Sequence, residues 1–130
     1  MATVTVRDET PSGRPIDRWV LPDLPTSITA RELLRLRVRE EVARYNAAEP
    51  EFYRGLVQPT DAEATLNGYR LREKRKLDWV KQADAACEAF ARNGFVMLVG
   101  DHQIDELDEM MDLSRDPEVS FVRLVPLVGG

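Results

Sequence analysis

The two glycines at the end of the sequence have the clearest chemical use. Val119-Ser120-Phe121-Val122-Arg123-Leu124-Val125-Pro126-Leu127-Val128 leads into Gly129-Gly130. Glycine has no Cβ, so two in a row make a thin arm that can enter a narrow channel and present its α-carboxylate to another protein's chemistry. The plain alternative is a frayed end with no role, and the ending alone does not choose between them. Other chemistry is sparse. His102 is the single histidine and reads as part of a turn after a strand; Cys87 is the single thiol. No Cys/His metal cluster can be assembled from that pair, and no phosphate loop or nucleophile elbow is present. Asp101, Asp105, Glu106, Asp108, Glu109 and Asp112 lack calcium-loop spacing and read as the solvated side of a turn and short helix. A substrate or binding partner is expected rather than an enzyme, with no bound cofactor. The basic cluster Arg70, Arg72, Lys74, Arg75 and Lys76 is a candidate partner surface; a solvated helix face is the blander and favoured reading.

Composition narrows the class. One hundred and thirty residues fit one domain, and 43% hydrophobic residues can bury a core. A net charge of −5 argues against nucleic acid as a partner. No apolar run is long enough to span a membrane. Residues 1–8 lack the basic start and apolar stretch of a signal peptide. With Cys87 alone no internal disulfide can form, so a reducing, cytoplasmic setting is expected.

The elements that must position these residues follow from periodicity. Val4 and Val6 alternate with polar residues, 8–13 carries turn chemistry, and 16–21 reads as a second strand, giving a hairpin over 3–21 closed by Pro22 and Pro25. Thr29-Ala30-Arg31-Glu32 is a capping box with Ile28 as a hydrophobic staple. Leu33, Leu34, Val38, Val42 and Tyr45 then recur at helical spacing, which predicts a helix over 30–46 ended by Asn46 and Pro50. A second capping box, Thr60-Asp61-Ala62-Glu63, predicts a short helix ending near Asn67-Gly68. A long helix is expected over 70–92, with the basic cluster in its first turns. Its apolar face would be Leu77, Val80, Ala83, Cys87 and Phe90, and Asn93-Gly94 its left-handed cap. Phe95–Val99 reads as a buried strand, 100–103 as a turn after which Ile104 resumes pairing, and 107–113 as a short helical or irregular connector. Val119–Val125 reads as the last strand. Alternation assigns Val4, Val6, Trp19, Leu21, Val96, Leu98, Val122 and Leu124 to the core face, above Leu34, Val38 and Val42. One of Met110 and Met111 points inward; Trp19, Trp79 and Cys87 read as packing residues.

The order strand, strand, helix, extra helices, strand, turn, strand resembles the ubiquitin-like β-grasp, an α+β fold with a mixed sheet on one central helix. The segment 120–130 resembles ubiquitin's last strand and diglycine tail, and Leu98-Val99-Gly100-Asp101-His102-Gln103-Ile104 resembles its strand, glycine turn and short following strand. The likeness covers roughly 1–46 and 94–130. It implies a single domain over 1–126, a helical insertion at about 47–93 between the central helix and the third strand, and a flexible tail over 127–130. Three features depart from the family pattern. They are the insertion, the apolar Pro126-Leu127-Val128 where ubiquitin's arm is basic, and an inward Val122 and Leu124, which shift the strand one residue from a gapless match.

The resemblance implies a ubiquitin-like protein modifier. An adenylating enzyme would activate the Gly130 carboxylate with ATP, a conjugating cysteine enzyme would take the acyl group, and an amine on a protein target would receive it as an isopeptide. Gly129 and Gly130 are then the conjugation site, and Pro126, Leu127 and Val128 the contacts to the activating enzyme, which should not be the eukaryotic one. Three lysines against fifteen arginines suit a high-GC bacterial source. Two other readings stay open: a sulfur carrier forming a C-terminal thiocarboxylate, and a non-conjugated β-grasp interaction module in which the diglycine is incidental.

Overall fold

The computed structural model describes residues 1–115 and 118–124. The chain is α+β, with a mixed five-stranded sheet and two α-helices. It divides into two compact units, one built from 1–33 with 90–124 and the other from 34–89.

The first unit carries the sheet. β1 (Ala2–Glu9) pairs antiparallel with β2 (Pro15–Leu24) and parallel with β9 (Glu118–Arg123). β9 pairs antiparallel with β6 (Phe95–Val99), which turns through Gly100 into β7 (His102–Gln103). The order across the sheet is β2-β1-β9-β6-β7. Apolar residues at every second position dictate which face is covered. Val4, Val6, Phe95, Met97, Val99, Val119 and Phe121 are buried, with Asp8 and Arg123 among them. β3 (Ser27–Thr29) pairs separately with β8 (Met110–Asp112), where strand alternation buries Met111 and leaves Met110 61% exposed.

Several expectations are corrected here. Val96, Leu98 and Val122 are only half-buried, Trp19 likewise, and Leu124 is exposed; the covered face of β6 and β9 is one residue out of phase with the sequence reading. Both sets on β6 are apolar, so alternation could not choose between them, and the charge of Arg123 pointed the wrong way. Asp8 belongs to the buried face of β1 rather than to the turn, which starts at Thr10. β2 continues through Pro22, at an edge strand and beside a register slip, where a missing N–H is tolerated. The connector 107–113 is not helical at Met110–Asp112 but a strand. The last strand ends at Arg123, and Val125 lies outside the described residues.

α1 (Ala30–Ala48) begins in the first unit. Thr29 Oγ1 accepts from the Glu32 N–H at 3.1 Å, so the cap forms as its sequence dictates. Ala30 and Arg31 N–H donate to the carbonyls of Glu109 and Leu107, anchoring two further orphan donors of the first turn. Leu33, Leu34, Val38 and Val42 are buried. The helix runs two residues past Asn46 and stops at Glu49, whose φ of 45° ends it ahead of Pro50.

In the second unit the expected helix over 60–67 is a hairpin. β4 (Ala62–Thr65) and β5 (Gly68–Leu71) pair Ala62 with Leu71 and Thr65 with Gly68. Gly68 has a φ of 123°, outside any right-handed helix, and Thr65 Oγ1 donates to its carbonyl at 2.7 Å. Tyr53 joins the hairpin by exchanging two backbone hydrogen bonds with Tyr69. The expected helix over 70–92 is therefore shorter. α2 (Trp79–Ala91) starts where Asp78 Oδ1 accepts from the Val80 N–H at 3.0 Å. Its covered residues are Gln82, Ala83 and Ala86, while Val80 is 41% exposed and Cys87 half-buried. Asn93 ends it in the left-handed conformation, with a φ of 60°.

Candidate functional site

The site inferred from the sequence is the end of the chain, and β9 is the strand that precedes it in sequence. β9 lies between β1 and β6 and is hydrogen-bonded on both sides, so it is held more tightly than an edge strand. At its start the Arg7 guanidinium donates to Glu118 Oε1 at 2.8 Å and lies 3.1 Å from Glu9. The hydrogen bond to Glu118, then the charges of Glu118 and Glu9, hold the Arg7 pKa above its ordinary value. At its end, on the covered face, Arg123 Nη2 lies 3.6 Å from Asp8 Oδ2 with both side chains almost fully buried. The Leu124 N–H donates to the Gly94 carbonyl at 3.1 Å and fixes the last described residue beside the start of β6. Gly129, Gly130, Pro126, Leu127 and Val128 lie outside the described residues.

The second candidate, the basic cluster, does not form one helix face. Arg70 sits on β5, and 72–76 form an irregular segment before α2. Arg70 stacks over the Phe52 ring at 5.5 Å and lies 3.7 Å from Glu63. Arg75 donates to the Thr60 carbonyl, and Lys76 to the Asn46 carbonyl at 2.9 Å. Those three side chains are committed within their own unit. Arg72 and Lys74 make no side-chain contact of this kind among the described residues, so only two of the five remain for a partner.

Sequence reasoning missed the open face of the sheet. Val96, Leu98 and Val122 stand there half-buried, joined by Leu124 at 43% exposure. The signal was in the covered pair: an acid on β1 and an arginine on β9 in strands of matching phase would have fixed the register. Elsewhere, His102 Nε2 lies 2.6 Å from Glu109 Oε2 on the surface. Among the described residues no group of three or more His, Cys, Asp or Glu could hold a metal ion, and no helix is long and apolar enough to cross a membrane. No family model matches the chain, and no curated protein or solved structure matches it.

Proposed function

We propose that this chain is a ubiquitin-like modifier of bacterial origin, built on a β-grasp and activated at the Gly130 carboxylate. The observation that carries the reading is the placement of β9. β9 runs parallel to β1 at the middle of a mixed sheet, and it is the strand that precedes Gly129-Gly130 in the sequence. With Phe121 and Arg123 on the covered face, the one-residue departure from a gapless match to ubiquitin's last strand disappears. In the chemistry proposed, the carboxylate attacks the α-phosphorus of ATP, releasing pyrophosphate and leaving an acyl adenylate. A thiol of a partner enzyme displaces AMP, and a target amine then displaces the thiol. Two glycines let the arm reach such a centre in extended form. This chain supplies the acyl group; the activating enzyme, the conjugating cysteine enzyme and the protein target supply the rest.

The test is intact-mass spectrometry of proteins from cells carrying the native gene neighbourhood. A target heavier by this chain less one water is expected, and the same spectra report where the mature chain ends. A terminal thiocarboxylate instead would identify a sulfur carrier. If neither species forms and a chain ending at Val128 still restores function, the protein is a non-conjugated interaction module. The open-face residues Val96, Leu98, Val122 and Leu124 favour that second reading.

A further inference from the structure

Where α2 gives way to β6 lies a cleft of about 200 Å3, lined by Phe90, Asn93, Phe95, Val96, Gln103 and Asp105 among others. Phe90 meets Phe95 edge-on, with ring centroids 5.9 Å apart, and gives it an apolar wall. The cleft also borders an unfinished sheet edge. β6 pairs with β9 from Phe95 to Val99, but on its other side β7 covers only Leu98 and Val99. One more bond follows, from the Ile104 N–H to the Met97 carbonyl at 2.9 Å. In an antiparallel strand alternate residues turn their N–H and C=O to the same side. Gly94, whose carbonyl accepts from Leu124, faces β9; Met97 and therefore Phe95 face the opposite edge. Phe95 is the next residue in that row, and among the described residues its N–H and C=O have no partner there. The charged residue of the cleft's lining is an acid, and the charges nearby in sequence are mostly acidic, with Arg92 between Ala91 and Asn93 the basic exception. Asp105 lines it, and Asp101 and Glu106 stand nearby in sequence without an ion-pair partner among the described residues; Asp108 and Glu109 are already engaged with Arg31 and His102.

We infer that this cleft receives an extended, basic peptide segment of a partner protein. The segment continues the line of β7 beyond Ile104, pairs its backbone with Phe95, sets an apolar side chain against Phe90 and turns a lysine or arginine toward Asp105. An open strand edge selects an extended main chain, because only that supplies donors and acceptors at the spacing of the row. The carboxylates select the sign of the flanking charge. The inference uses none of residues 125–130, so it stands whether or not the chain is conjugated.

The probe is a capped hexapeptide alternating valine with lysine around a central leucine, titrated into the full 15N-labelled chain at low salt. Saturable shifts of the Phe95, Ile104 and Asp105 amides are expected. The glutamate counterpart of the peptide should bind about tenfold more weakly, and Asp105→Lys should reverse that preference. N-methylation of the peptide amides that face β6 should abolish binding. Shifts confined to other surfaces, no preference for charge, or undiminished binding of the N-methylated peptide would overturn the inference. So would a chain ending at Leu124 that changes those three amides without any probe, since the chain's own end would then be the occupant.

Discussion

The two units of this chain are specified in different ways. In the sheet unit, position follows period: every second residue of β1, β6 and β9 is covered, and most of the covered side chains are interchangeable in kind. In the unit over 34–89, position follows individual contacts. The Asn46 side-chain amide clamps Leu77, accepting from its N–H at 2.8 Å and donating to its carbonyl at 2.9 Å. Gln82 Nε2 donates to the Val57 carbonyl at 3.2 Å. Arg35 and Arg39 both stack on the Trp79 ring, at 5.3 and 5.6 Å. A pattern can be read from any window of sequence, whereas a contact between residues 31 apart cannot. Apolar side chains are buried in both units, Leu56, Leu71 and Leu77 in the second among them; the difference lies in how much of the placement there rests on single polar or steric contacts.

The largest test of this comparison lies in β9. Phe121 is fully buried and stacks near Phe95, with ring centroids 6.0 Å apart. Phe121→Ala should cost about 3–5 kcal/mol in guanidinium unfolding, through lost transfer energy and the cavity left behind. Its neighbour Val122, half-buried on the open face, should cost less than about 1 kcal/mol when cut to alanine. Equal losses at the two positions would mean that the strand is not committed to one face, and the comparison would fail on its own ground.

That same strand shows how far the sequence could be read. The hairpin, the capped helix at Thr29, the strand at Phe95–Val99 and the last strand were all legible, because each has a period or a terminal signal. The covered faces of β1 and α1 were legible too, but the phase of β6 and β9 was not. Phe95, Met97 and Val99 alternate with Val96 and Leu98, all apolar, and Arg123 occupies a buried position beside Asp8, more than a hundred residues away in sequence. In the other unit even element type was lost. Thr60-Asp61-Ala62-Glu63 is a sound capping box, yet Asp61 adopts a φ of 53° and the chain enters a strand, because Tyr53 and Tyr69 supply a bridge that local propensity does not encode. Of the candidate site, Arg70 to Lys76 could be located by charge, but which cations are already engaged depends on Phe52, Thr60 and Asn46.

Intermediate effects are expected where the second unit depends on single contacts. Tyr53 is 2% exposed and its ring lies over Gly55, so a Cβ built there would come within 2.1 Å of the ring. Gly55→Ala should cost about 1–3 kcal/mol, because the ring is too enclosed to yield without strain. Asn46→Ala strands the two backbone groups of Leu77 and should cost about 1–3 kcal/mol as well. Both are read from the unfolding midpoint at constant denaturant slope. If both substitutions are neutral while Leu34→Ala, at a fully buried position of the second unit, is severe, that unit rests on apolar burial after all, and the contrast narrows to one of legibility.

The smallest effect sharpens the comparison from the other side, by asking what an isolated polar contact is worth within the sheet unit. After β8, the Ser114 hydroxyl and its backbone N–H both donate to Asp112 Oδ1, the latter at 2.9 Å. The hydroxyl, then the N–H, hold the Asp112 carboxyl below its ordinary value. A lowered carboxylate pKa stabilises the folded chain at every pH above the unfolded value, and the benefit disappears as pH falls through the folded one. Ser114→Ala removes the larger of the two causes. Its melting temperature should therefore sit slightly below wild type at neutral pH and converge on it in strong acid. Thermal unfolding of both proteins from neutral to about pH 2 checks the sign. A gap that widened on acidification would mean that the protonated carboxyl is the better partner. A gap rivalling that of Phe121→Ala would mean that the sheet unit, too, depends on single polar contacts.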